Sequence, residues 1–137
     1  MKFYLDTNIW IDYLNKKRTN HSNAIKLFNK IKRKNHLILI TELHIYETKI
    51  TGYYNSFEKI KNELWKQGLC KGIKIKKENR IKAINLNNKK DLGVADYLHL
   101  LTALKEKAIP ISNDKHWKKI SKIINYNSYS YKEILTD

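Results

Sequence analysis

Residues 1–15, MKFYLDTNIWIDYLN, decide how the rest of the chain is read. Lys2–Leu5 is a short run rich in aromatic and aliphatic side chains, Asp6, Thr7 and Asn8 interrupt it, and Ile9, Trp10, Tyr13 and Leu14 then recur at helical spacing. The pattern predicts strand, turn and helix, with a carboxylate where the strand stops. That acid stands out in a chain where 28 Lys and Arg face 13 Asp and Glu, for a formal charge of +15.

Outward from this unit, the same alternation continues. A second helix is expected over about 22–34, where Ile25, Phe28 and Ile31 fall three apart and lysines fill the other faces. HLILI (36–40) is a continuous apolar run of the kind buried on both sides in a parallel sheet, and Thr41 offers a cap for a helix with Leu43, Tyr46 and Ile50 on one side. Phe57, Ile60 and Leu64 predict a helix over 54–67 that stops at Gly68, and GIKIKK (72–77) alternates like an edge strand. A further helix over about 78–86 is followed by NLNNKK (85–90), read as a polar loop. VADYLHLLTALKEKA (94–108) carries the longest helical signal, with Val94, Leu98, Leu101 and Leu104 as the inward face. IPIS (109–112) reads as a strand, DKHWKKISKII (114–124) as a helix opened by Asp114, and YNSYSY (126–131) as a last strand. Strands alternating with helices predict one α/β domain over 1–137, with about five strands in a mostly parallel sheet.

At 137 residues the chain suits one domain with a real core. The excess of positive charge draws polyanions and makes nucleic acid the natural partner, although biased use of Lys, Asn and Ile would also raise the charge. Cys70 is the only cysteine, which excludes a disulfide framework and a thiolate zinc site. No stretch approaches the roughly 18 apolar residues of a membrane span, and the N-terminus opens on a strand pattern, so a soluble cytoplasmic protein without membrane contact is expected.

The acids follow from the layout. In a parallel α/β sheet a site lies beyond the carboxyl ends of the strands. Asp6 ends the first strand and Asp114 follows IPIS; Glu47 lies about two turns into the helix entered from HLILI; Asp96 lies in the first turn of the long helix. Taken singly, Asp6 and Asp114 read as helix caps, Glu47 as a solvated residue, and Asp96 as an acid favoured by the helix dipole. Taken together, they could meet at one edge of the sheet. Clustered carboxylates oppose one another's ionisation and call for a cation, and oxygen donors without Cys or closely spaced His favour Mg²⁺ or Mn²⁺. An ion so held supports phosphodiester hydrolysis.

MKFYLDTNIWIDYL (1–14), ILITELHIYE (38–47) and ADYLHLLTALKEKAIPISNDKHW (95–117) together resemble the PIN-domain proteins, and most of all the small single-domain ribonucleases of the VapC type. The likeness runs over nearly the whole chain. It rests on an apolar strand ending in Asp-Thr-Asn, and on Asp-x-x-His-Leu-x-x-Ala followed by Ser-Asn-Asp-x-x-aromatic. The resemblance implies a three-layer α/β/α sandwich and a metal-dependent endoribonuclease acting on RNA. It places the four catalytic and metal-binding acids on Asp6, Glu47, Asp96 and Asp114, and Mg²⁺ or Mn²⁺ as the ion. It gives Asn8 and Ser112 roles in supporting the acids or touching substrate. It further implies the toxin of a toxin–antitoxin pair, commonly a homodimer, silenced by a small antitoxin protein.

Other acids compete for this register. Glu42 competes with Glu47 but suits the helix dipole, Asp91 competes with Asp96 but suits a cap or the rim, and Asp12 reads as a surface residue. His44, His99 and His116 lack zinc-site spacing and read as packed or exposed; His99, three residues after Asp96, could hydrogen-bond an acid or the substrate. Trp10 and Trp117 read as core or interface. Only Arg18, Arg33 and Arg80 are arginines, so attraction to the RNA backbone is expected without bidentate reading of bases. A noncatalytic RNA-binding module, a housekeeping RNA-processing nuclease and a DNA-directed nuclease are the alternatives.

Overall fold

A computed structural model describes residues 1–136. Its elements run β1 (Lys2–Leu5), α1 (Thr7–Leu14), α2 (His21–Arg33), β2 (Leu37–Ile40), α3 (Glu42–Thr51), α4 (Tyr54–Lys66), β3 (Cys70–Gly72), α5 (Lys77–Lys89), α6 (Val94–Lys105), β4 (Ile109–Ile111), α7 (Lys115–Ile124) and α8 (Tyr131–Ile134). The four strands pair in parallel in the order β3-β2-β1-β4. Side chains alternate across the sheet. Phe3, Leu5, Ile38, Ile40 and Ile111 face one core with Trp10, Leu27, Phe28, Phe57 and Leu64; Tyr4 and Leu39 face the other with Tyr97, Leu101, Trp117 and Ile120. Helices thus cover both faces of the parallel sheet, in three layers.

Strand order fixes where a ligand fits. The chain moves outward from β1 to β2 and β3, then crosses back to place β4 on the other side of β1. The crevice at such a reversal opens beyond the carboxyl ends of β1 and β4. Asp6 follows the first of these strands, and Ser112 and Asp114 follow the second.

Several expectations are corrected. The sheet has four strands among the described residues, because YNSYSY contributes a single parallel bridge, Tyr129 to Ile111, before Tyr131 turns into α8. Ser130 ends any extension by capping that helix, its hydroxyl accepting from Glu133 N. The strand near GIKIKK lies earlier, at Cys70–Gly72: beyond it only Ile73 N reaches β2, at Ile40 O, since Thr41 already caps α3. NLNNKK is helical up to Lys89, because Leu86 packs into the second core and Asn87 Oδ1 accepts from Gly93 N to fix the next turn. In α3 the Leu43, Tyr46, Ile50 stripe is not the buried face; Tyr46 and Ile50 are 61% and 65% exposed, and His44 and Thr48 point inward. His44 turns the helix this way by accepting from Thr41 N at 3.0 Å and donating Nε2–H to Leu5 O at 2.7 Å. Val94 is exposed at the start of α6, whose buried face is built from Tyr97, Leu98, Leu100 and Leu101. No helix among the described residues is long and apolar enough to cross a membrane.

Candidate active site

Asp6 occupies the N-cap position of α1, yet its side chain makes no capping hydrogen bond. It is buried, and Oδ2 instead accepts from Ser112 Oγ at 2.6 Å. The same hydroxyl accepts from Asp114 N at 2.9 Å, so one serine ties the end of β1 to the loop after β4. Asp114 does cap α7, Oδ1 accepting from His116 N at 2.9 Å. Asp96, in the first turn of α6, accepts at Oδ1 from Trp117 Nε1 at 3.1 Å. Glu47 accepts at one oxygen, Oε1, from both Thr7 Oγ1 at 2.6 Å and His99 Nε2 at 2.8 Å.

A pattern emerges from these bonds. Each of the four carboxylates has one oxygen held by protein donors, while Asp6 Oδ1, Glu47 Oε2, Asp96 Oδ2 and Asp114 Oδ2 accept no protein hydrogen bond among the described residues. The acids share one electrostatic neighbourhood. Burial, with the carboxylates of Asp96 and Glu47 adding to it, pushes the Asp6 carboxyl up to about 6, against the opposing pull of His99 and Ser112. Burial likewise raises Asp96, with Asp114 and Glu47 contributing. Asp96, Asp114 and His116 each offer a ligand atom within 4.8 Å of the others, and His116 Nδ1 lies 3.7 Å from Asp96 Oδ2. Asp6 and Glu47 are not in that tight group among the described residues and join it only through charge, so the closely spaced donors are two carboxylates and one imidazole, a set that suits a divalent cation.

Beneath Glu47 lies a chain of contacts that the sequence did not disclose. His99 is fully buried and hydrogen-bonds Tyr4 OH through Nδ1 at 2.6 Å, and Tyr4 OH lies 3.3 Å from Thr41 Oγ1. Burial opposes charge on His99, but Glu47, Asp6 and Asp96 outweigh it and raise the imidazole above its ordinary value. Glu47 is correspondingly held low despite its burial, by the hydrogen bonds and charge of His99 and the hydroxyl of Thr7. Neighbouring His44 has the opposite fate: burial and His99 push it down to about 3, so it is a neutral structural ring. The one sequence signal for this chain was the spacing of His99 from Asp96, one helical turn.

The remaining candidates separate cleanly. Asn8 is exposed and, among the described residues, forms no hydrogen bond to any of the four acids. Glu42 is exposed and pairs with Arg80 at 2.8 Å, and Asp91 is exposed. Asp12 is not a surface residue: it is buried, accepting from Arg18 Nε at 2.7 Å and Tyr131 OH at 2.9 Å. It faces inward because α2 and α8 close over that side of α1. Trp10 and Trp117 are both fully buried.

Residues 3–123 match the PIN domain family model. Among solved structures, the chain is similar to VapBC2 from Rickettsia felis bound to a DNA fragment from its promoter. That likeness has a TM-score of 0.63 at 21% identity and covers 95% of this chain and 98% of the other. It is also similar to a toxin–antitoxin complex from Klebsiella pneumoniae, with a TM-score of 0.56 at 17% identity, covering 87% and 89% of the two chains. No curated protein matches the sequence significantly. The family model spans nearly the whole chain, including all four strands but for Lys2 and all four candidate acids, and the chain therefore belongs to the PIN domain family.

Proposed function

We propose that the chain is a divalent-metal-dependent endoribonuclease that hydrolyses RNA phosphodiester bonds, and that it is the toxin of a toxin–antitoxin pair. One observation carries the nuclease reading: Asp6, Glu47, Asp96 and Asp114 influence one another's charge, and each has one oxygen held by protein donors while the other accepts no protein hydrogen bond among the described residues, the free oxygen of Asp96 facing only His116 Nδ1 at 3.7 Å. A cluster serving stability alone would satisfy both oxygens, since uncompensated carboxylates repel and raise one another's pKa.

In this reading the four acids hold Mg²⁺ or Mn²⁺. Such an ion supplies polarisation of a phosphoryl oxygen and acidification of water. Ser112 orients Asp6, Trp117 orients Asp96, and His99 with Thr7 orients Glu47, so the donors are fixed before an ion arrives. The +15 charge draws the RNA backbone toward the protein. A small antitoxin protein and a second copy of the chain are the proposed protein partners. The antitoxin is supported by the toxin–antitoxin assemblies that share the fold.

The test incubates purified protein with labelled single-stranded RNA, structured RNA and DNA, with Mn²⁺ or with excess chelator, beside Asp6→Asn. The expected result is RNA cleavage that requires the metal and is lost in the variant. Cleavage surviving chelation or the substitution contradicts the mechanism, RNA binding without cleavage favours the noncatalytic alternative, and DNA cleavage favours the DNA-directed one.

A further inference from the structure

Between Ser112 and Asp114, Asn113 turns away from the acids into a separate open cleft of about 580 Å³ bounded by the start of α2 and by α8. Its Oδ1 accepts from Tyr131 N at 3.1 Å, which leaves its amide NH₂ to the cleft. Asn23 donates to Asn20 Oδ1 at 3.2 Å, leaving the Asn20 NH₂ and the Asn23 carbonyl oxygen without a protein partner. The cleft thus offers two amide donors and an amide acceptor, beside an apolar wall from Leu135. No carboxylate is among the described residues that line it, and Lys132 is their one cation.

This lining discriminates between ligands. A phosphate offers acceptors only and calls for cations and donors; a metal ion calls for anionic or closely spaced donors. A nucleobase edge presents donors and acceptors side by side, and its ring has apolar faces, which is what neutral amides next to a leucine complement. A neighbouring cleft shares Leu135 and is lined by Lys26 and Arg33, where the next phosphates of a strand would find positive charge.

We propose that the amide cleft is a nucleobase subsite, accepting one unpaired base of single-stranded RNA next to the acidic crevice, with the strand continuing past Leu135 toward Lys26 and Arg33. The proposal deepens the ribonuclease reading and rests on it only for which linkage would be cut. A base in a duplex has its edge engaged by its partner and cannot enter, so the substrate class is unpaired RNA.

The test measures binding separately from cleavage. Fluorescence anisotropy in excess chelator compares four labelled RNA homopolymer hexamers on the wild-type chain and on Asn20→Ala/Asn23→Ala. Asn20 makes no side-chain cap bond to α2, so the variant is expected to fold, which circular dichroism checks. Asn113→Ala is the second variant. The expected result is a base preference of roughly fivefold or more, collapsing toward equality in either variant. Equal affinity of the wild-type chain for all four hexamers, or a preference unchanged in both variants, overturns the subsite. Cleavage of RNA with Mn²⁺, scored in parallel, fails only if the nuclease reading is wrong, so the two outcomes are distinguishable.

Discussion

His99 Nε2 lies 2.8 Å from Glu47 Oε1, joining a helix that carries one acid of the crevice to the helix that carries another. Thr7 Oγ1 binds the same Glu47 oxygen from the start of α1, so three elements converge on a single atom. The consequence is directional: Oε1 is doubly occupied, and Oε2 accepts no protein hydrogen bond among the described residues. His99 is in turn held from behind by Tyr4 OH on β1.

Replacing His99 with Ala is therefore expected to weaken Mn²⁺ binding by roughly 10- to 100-fold, the usual effect of losing a group that orients a metal ligand. Calorimetric titration reads it. His99→Gln, which retains a donor near Glu47, should recover part of the affinity. Equal Mn²⁺ affinity in wild type and His99→Ala would show that Glu47 needs no such support.

The Asp6 carboxyl predicts a stability cost at neutral pH. Its folded value of about 6 stands above the ordinary 3.8, so the folded state binds its proton more tightly than the unfolded state does. Metal-free stability from this group is fully present below about pH 4 and is lost as pH rises through 6. Asp6→Asn removes the charge and leaves Ser112 an acceptor. At pH 8 without metal the variant should be more stable than wild type by about 3 kcal/mol, read by urea unfolding. Added Mn²⁺ should stabilise wild type and not the variant. A variant less stable than wild type under metal-free conditions would sink this account.

Asp12 behaves as the counterexample among the acids. Both its oxygens are engaged, by Arg18 and Tyr131. Asp12→Ala should cost about 2 kcal/mol of stability by leaving a buried hydroxyl and a guanidinium without their acceptor. Its Mn²⁺ affinity, measured below the melting transition, should match that of wild type. Loss of metal binding in this variant would assign Asp12 to the site.

How much of this was legible beforehand depends on the length scale of the signal. β1, HLILI and the four acids are readable because each is local: an apolar run ends, a cap residue follows, and a carboxylate sits within a turn or two. The switch in strand order then brings Asp6, at the end of β1, beside the loop of Ser112 and Asp114 after β4. Tyr4–His99–Glu47–Thr7 is not local, since its members lie up to 95 residues apart and Tyr4 and His99 look like ordinary core positions. Asp12 was misplaced for the same reason: α8, which supplies Tyr131, carries a strand-like alternation in YNSYSY. Capping by Ser130 overrides that alternation. On α3 the apolar stripe misled because polar His44 and Thr48 have better partners inside than Tyr46 and Ile50 do.

In the proposed mechanism the oxygens of Asp6, Glu47, Asp96 and Asp114 that accept no protein hydrogen bond together hold a divalent ion. Anomalous diffraction from crystals soaked in Mn²⁺ tests it most directly. The account predicts a manganese peak bonded to oxygens of these acids, absent in Asp6→Asn; a crevice left vacant at saturating Mn²⁺, or manganese found only at Glu42 or Asp91, would contradict it.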